Sequence, residues 1–199
     1  MQQEYHGLVK PGTKSKIIRG CYDLAEILVS AMIAIAALFL FAARFAGVEG
    51  SSMAPTLHNR DWLAVSPWAA RPERGEIVII SARENALHEP LVKRVIALGG
   101  DEVDLREGRV YVNGVLLDEP YLPDGAITEP AAPHQSEMRY PVTVPAGRLF
   151  VMGDNRGASA DSRFTGIGFV SEQDVLGRVM FRAMPFYDKE KGAFLMKVE

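Results

Sequence analysis

Three stretches of this 199-residue chain carry side chains with the chemistry to attack a carbonyl. The first, Gly50-Ser51-Ser52-Met53-Ala54-Pro55-Thr56-Leu57, offers a hydroxyl. Serine is a weak nucleophile until a neighbouring base takes its proton, and the usual base is a histidine oriented by a carboxylate. The four histidines, His6, His58, His88 and His134, stand in no such setting and have no metal-ligand spacing such as H-E-x-x-H. A serine in a Gly/Ser/Pro stretch is also a common turn residue. Local sequence leaves both readings of Ser52 open.

The second stretch, Leu91-Val92-Lys93-Arg94-Val95-Ile96, places two cations inside an apolar strand pattern. Alternation with period two puts Leu91, Lys93 and Val95 on one face and Val92, Arg94 and Ile96 on the other, so one cation must share a face with apolar neighbours. Desolvation disfavours the charged form of lysine and turns an inert ammonium into a usable general base. The competing reading is a lysine snorkelling from a sheet edge, and spacing does not decide between them. The third stretch, Gly153-Asp154-Asn155-Arg156-Gly157-Ala158-Ser159-Ala160-Asp161-Ser162-Arg163, is dense in short polar side chains. Such side chains bond to nearby backbone, so an ordered structural loop explains it as readily as a site does.

The elements that must position these groups come in two kinds. Ile27 to Ala43 is an uncharged apolar run of 17 residues, lengthened at its edges by Tyr22 and Phe45. It predicts a transmembrane anchor over 23–45, after an N-terminal tail of 1–22 and before a domain of 46–199. Lys10, Lys14, Lys16 and Arg19 precede the run, whereas Arg44 alone follows closely before Glu49. By the positive-inside rule the tail is cytoplasmic and the domain extracytoplasmic, at the cell membrane. A cleavable secretory signal, with a small-x-small exit between Ala43 and Gly47, and a buried helix of a soluble protein are the alternatives. Run length and the cationic leader favour an uncleaved anchor embedded in a lipid bilayer. Trp62 and Trp68 are candidates for headgroup contact.

Beyond the run, short Val/Ile/Leu-rich segments punctuated by Gly, Pro and Asn predict a mainly β, mostly antiparallel domain. The expected strands are Trp62 to Val65, Glu76 to Ser81, Leu91 to Leu98, Glu102 to Leu105, Arg109 to Val112, Val115 to Leu117, Leu149 to Met152 and Leu176 to Arg182. Arg106-Glu107-Gly108 and Asn113-Gly114 are the hairpin turns. Glu119 to Pro145, rich in Pro, Ala and polar residues, reads as a long surface excursion. A net charge of -3 gives no basic field for nucleic acid. The single cysteine, Cys21, allows no intrachain disulfide and no thiolate cluster, so no metal is expected.

Taken together and in order, these segments resemble the bacterial type I signal peptidases, serine proteases with a Ser-Lys dyad. The resemblance covers nearly the whole chain. It rests on the N-terminal anchor, Ser52-Met53 with Pro55-Thr56-Leu57, Lys93-Arg94-Val95 with Gly100-Asp101, Val110-Tyr111-Val112-Asn113-Gly114 with Glu119-Pro120-Tyr121, and Gly153-Asp154-Asn155-Arg156 with Ser159, Asp161, Ser162 and Arg163. It implies a signal-peptidase-type β domain that cuts signal peptides from exported preproteins after a small-x-small motif, through an acyl-enzyme and without a cofactor. Ser52 would be the nucleophile, Lys93 the general base and Ser159 the hydroxyl that orients the lysine, with an Asp161–Arg163 ion pair in support. Many members carry a serine two residues before the nucleophile, where this chain has Gly50, so the oxyanion would lean on backbone N–H groups, chiefly that of Ser52. The positions matching Val48, Met53, Leu57, Leu63 and Val92 would line shallow substrate pockets. A different class of reading is a catalytically inactive, membrane-tethered β domain that binds exported proteins.

Overall fold

The computed structural model describes residues 13–42, 44–67, 71–83, 86–188 and 193–197, so that Lys10 and Trp68 lie outside the described residues. The chain divides into two units, Met1–Ala42 and Ala43–Glu199. The described part of the first is one helix, α1 (Thr13–Ala42), built from a sequence rich in Ala, Ile and Leu, which are good helix formers or well accommodated in apolar helices. Within it Ile18–Ala37 is a 20-residue span of mean hydropathy 1.6 with none of its side chains buried. At 1.5 Å per residue that span is about 30 Å long, the thickness of a bilayer's hydrocarbon core.

The expected anchor of 23–45 differs from the observed helix at both ends. Helix begins ten residues earlier, at Thr13, within the segment read as a tail. At the other end Arg44 and Phe45 belong to a strand, β1 (Arg44–Gly47), because their backbone groups pair with β2 (Trp62–Ser66) from Arg44↔Val65 to Gly47↔Trp62.

Every pairing in the second unit is antiparallel. The remaining strands are β3 (Ile77–Ile80), β4 (Leu91–Leu98), β5 (Glu102–Arg106), β6 (Arg109–Val112), β7 (Val115–Leu116), β8 (Val142–Thr143), β9 (Arg148–Met152), β10 (Val170–Ser171), β11 (Val175–Asp188) and β12 (Ala193–Lys197). An eight-stranded sheet runs β1-β2-β11-β3-β4-β9-β10 with β12 beside β11, and a smaller sheet runs β7-β6-β5-β8. The strand carrying both cations is therefore central, flanked by β3 and β9. Ile96, Ala97, Phe150 and Met152 of the large sheet share a core with Val103, Leu105, Val110 and Val112 of the small one.

Two details depart from expectation. Arg106 pairs with Arg109, so the first hairpin turn is the two-residue Glu107-Gly108, with φ of 54 and 71, rather than three residues. Asn113-Gly114, with φ of 54 and 77, makes the same kind of turn, since left-handed pairs match the twist of the flanking strands. The excursion after Glu119 also does more than cross the surface. It ends in β8, and Thr128 and Val144 within it are 2% and 1% exposed.

Candidate active site

Ser52 lies on the turns joining β1 to β2. The Val48 N–H donates to the Asp61 carbonyl and the Arg60 N–H to the Val48 carbonyl, both at 2.8 Å, closing the neck of this loop. Gly50 turns the chain with a φ of 87, and its N–H donates to Asn59 Oδ1 at 3.2 Å. Met53 and Leu57 then drop into the core at 2% and 0% exposure, which anchors the loop and leaves Ser52 half-buried beside them. Ser51, the neighbouring hydroxyl, is exposed.

Lys93 projects from β4 with only 2% exposure. Its Nζ donates to Ser52 Oγ at 2.9 Å and to the Val92 carbonyl at 3.1 Å. Burial holds the Lys93 amine below the ordinary lysine value of 10.5, against the opposing pull of the Asp161 and Asp154 carboxylates. The contact with Ser52 suits either protonation state, because the hydroxyl can accept from an ammonium or donate to a neutral amine. Alternation required one buried cation; the structure buries both, because β4 is covered on both faces, and Arg94 is 1% exposed.

Arg94 is compensated in full. Its Nε and Nη2 donate to Asp154 Oδ1 and Oδ2 at 2.9 and 2.7 Å, its Nη1 donates to the Gly75 carbonyl at 2.8 Å, and its guanidinium lies 3.8 Å over the Tyr121 ring. The Thr56 hydroxyl donates to Asp154 Oδ2 at 2.5 Å. Asp154 thereby ties the serine loop to the lysine strand. This clamp was missed in the sequence; the available signal was that a guanidinium inside an apolar strand demands a buried carboxylate.

The loop after β9 closes over the serine from the other side. Gly153 admits no side chain, since a Cβ there would run into Ser159 Oγ and the Ser52 carbonyl oxygen. Its N–H donates to Asp161 Oδ2 at 3.1 Å, and its carbonyl accepts from Arg156 Nε at 3.1 Å. The Asn155 N–H donates to the Ser52 carbonyl at 3.0 Å, and Asn155 Nδ2 to the Ser51 carbonyl at 3.2 Å. Asp161 and Arg163 form the expected ion pair, bidentate at 2.8 and 2.9 Å and buried. Arg163 also reaches the Glu129 and Arg156 carbonyls at 3.1 and 2.8 Å.

Ser159 is buried beside Gly153, but among the described residues no hydrogen bond joins it to Lys93; its hydroxyl donates to the Ala160 carbonyl at 3.5 Å. Among the described residues, too, no acceptor takes the Ser52 N–H. Val48, Met53, Leu57 and Leu63 pack in one cluster with Val65, Ile77, Ile79 and Val179, and half-buried Val92 lies against it. The five residues expected to line pockets are thus brought together in one apolar cluster. Trp62, on β2, is 48% exposed.

A hydroxyl seated on a desolvated amine, on an antiparallel β scaffold that follows an apolar helix in the chain, is the arrangement that a serine–lysine hydrolase would need. The family model described as signal peptidase, peptidase S26, matches residues 21–184. A probable signal peptidase I-2 of Synechocystis is 38% identical over 170 residues, which are 82% of this chain and 73% of that one. A signal peptidase I of Bacillus licheniformis is 40% identical over 148 residues, 72% of this chain and 78% of that one. A crystal structure of a signal peptidase I from Enterococcus faecalis V583 aligns at 33% identity over 55% of this chain and 97% of that chain, with a TM-score of 0.44. The chain belongs to the signal peptidase family, peptidase S26.

Proposed function

We propose that this membrane-anchored signal peptidase cuts preproteins with Ser52 as nucleophile and Lys93 as general base. The observation that carries the assignment is the 2.9 Å contact of Ser52 Oγ with a lysine amine that burial keeps below its ordinary pKa. Neutral Lys93 takes the Ser52 proton as Oγ attacks the scissile carbonyl. The Ser52 N–H donates to the oxyanion, in the absence of a hydroxyl at Gly50. The Lys93 ammonium then protonates the leaving amine, the new N-terminus of the mature protein. Water, deprotonated by the same amine, attacks the ester and releases the signal peptide. Ser52 and Lys93 carry every proton transfer in this scheme, and no metal or cofactor enters it.

Ser159 serves to orient the lysine, and the Asp161–Arg163 pair holds the loop that presents it. The cluster of Val48, Met53, Leu57, Leu63 and Val92 takes the small side chains of a small-x-small motif, which an extended peptide presents on alternate residues. The apolar span of α1 crosses the bilayer, with the cationic N-terminal flank cytoplasmic and the β domain, from Arg44 onward, extracytoplasmic. Protease added to intact spheroplasts then digests the β domain and spares the N-terminal flank.

The test of the dyad is Ser52→Ala. The variant folds and stays membrane-bound but leaves a preprotein uncut in detergent, whereas Ser51→Ala cleaves it. An active Ser52→Ala enzyme would overturn the assignment and, with it, separate a peptidase using another nucleophile from a tethered binding domain.

A further inference from the structure

The excursion between β7 and β8 reaches the loop that supports Ser52, and it does so through charge. Glu119 forms an ion pair with Arg156, whose side chain is 2% exposed. Arg156 Nη1 donates to Glu119 Oε2 at 3.2 Å and to Thr128 Oγ1 at 2.6 Å, so both side chains that bond to this guanidinium come from the excursion. The Tyr121 hydroxyl donates to Glu119 Oε1 at 2.8 Å, while the Tyr121 ring lies under Arg94. One tripeptide, Glu119-Pro120-Tyr121, thus supports the arginine that follows Lys93 and the arginine that follows the Gly153-Asp154-Asn155 turn.

The line from Glu119 to the nucleophile is short. Arg156 Nε holds the Gly153 carbonyl at 3.1 Å, and Gly153 is wedged between Ser159 and the Ser52 carbonyl with no space for a Cβ. Two residues on, the Asn155 N–H holds the Ser52 carbonyl at 3.0 Å. Removing Glu119 leaves a buried guanidinium without its carboxylate. It must then seek water or another acceptor, and the loop it grips must follow.

We propose that Glu119, through Arg156, is a positioning residue for the signal peptidase reaction, setting the distance between Ser52 and Lys93 from a segment that touches neither. Tyr121 and Thr128 act with it. The proposal rests on the assignment of Ser52 and Lys93 above. Misplacement of a nucleophile relative to its base lowers kcat, whereas the apolar cluster proposed to receive substrate is fixed by its own packing in the core rather than by the loop that Arg156 holds, and should keep KM.

The experiment compares the full-length parent, Ser52→Ala, Glu119→Gln, Glu119→Leu and Thr128→Val in detergent, with a signal-peptide substrate and circular dichroism on each. Glu119→Gln keeps an oxygen acceptor for Arg156 and should stay within about threefold of the parent in kcat, while Glu119→Leu should fall by about tenfold or more, both at unchanged KM. Thr128→Val, nearly isosteric and leaving the Glu119–Arg156 ion pair in place, provides the folded variant should Glu119→Leu fail to fold, and its kcat should drop by about threefold at unchanged KM. Folded Glu119→Leu with parental kcat overturns the proposal, as does a rise in KM alone, which would make the excursion a substrate contact. When Glu119→Leu does not fold, parental kcat in Thr128→Val overturns it. Activity in Ser52→Ala would instead overturn the dyad on which the proposal rests, so the two failures are told apart.

Discussion

Lys93 and Arg94 are consecutive on β4 and equally buried, yet their surroundings are opposite. Arg94 meets a bidentate carboxylate, a backbone carbonyl and an aromatic face, so its charge is compensated at every donor that points inward. Lys93 meets a hydroxyl and a backbone carbonyl, and among the described residues no carboxylate bonds to it; Asp161 and Asp154 act on it only at a distance. Burial therefore acts on two cations with two results. Where compensation is supplied, the charge becomes structure, and where it is withheld, the amine is pushed toward its neutral form, the form that the proposed general base requires.

The sharpest break of this comparison is to give position 93 the side chain of position 94. Lys93→Arg should be as inactive as Lys93→Ala, down by about 100-fold to 10000-fold or more in kcat, because arginine stays charged where lysine can lose its proton. A folded Lys93→Arg enzyme with substantial activity would mean that the residue acts only as a cation. The reverse break falls on stability. Asp154→Asn strands a buried guanidinium and should cost about 3–5 kcal/mol in urea denaturation, with the Thr56 bond weakened as well. A loss under about 1 kcal/mol would show that water reaches Arg94.

Two pH experiments sharpen the contrast further. Activity of the parent should fall on the acid side as one group protonates, with a midpoint below 10.5, since burial lowers the Lys93 pKa. In Asp154→Asn, a carboxylate that raises that pKa is gone, and the acid limb should move to lower pH; movement to higher pH would exclude Lys93 as the titrating base. The smallest effect concerns stability. Because the folded-state pKa of Lys93 is lowered, the native protein binds fewer protons than the unfolded chain between that pKa and 10.5, and stability rises with pH across this window. Lys93→Met should therefore be more stable than the parent near neutrality, by on the order of 1–2 kcal/mol, with the gap narrowing toward pH 10.5. A gap that stays constant with pH would mean that Lys93 has the same pKa in the native protein as in the unfolded chain, and so that burial does not shift it.

How much of this was legible in the chain depended on how local the signal was. The strand Leu91–Leu98 and the turn Asn113-Gly114 stand where alternation and positive-φ residue types put them. Strand β1 was hidden, because Arg44–Gly47 follows directly on an apolar run and has only four residues, and two-residue β10 carries too little pattern to detect. The excursion read as a surface feature because its composition is that of a loop. Its buried Thr128 and its hold on Arg156 depend on residues 28 and 37 positions apart, and no local rule spans that distance.

By itself the sequence determined the apolar helix, the antiparallel β class, the Asn113-Gly114 turn and, through its resemblance to a family, the choice of Ser52 and Lys93 as the candidate dyad. These follow from periodicity, residue type and order, which act along the chain. Only the tertiary structure decided that Lys93 lacks a bonded carboxylate while Arg94 has one 60 residues away, and that Ser159 turns its hydroxyl to Ala160 rather than to the lysine. Both are matters of which polar group meets which in a buried space. The loss of water on burial sets the demand for partners, and the packing of distant segments alone decides which side chains meet it.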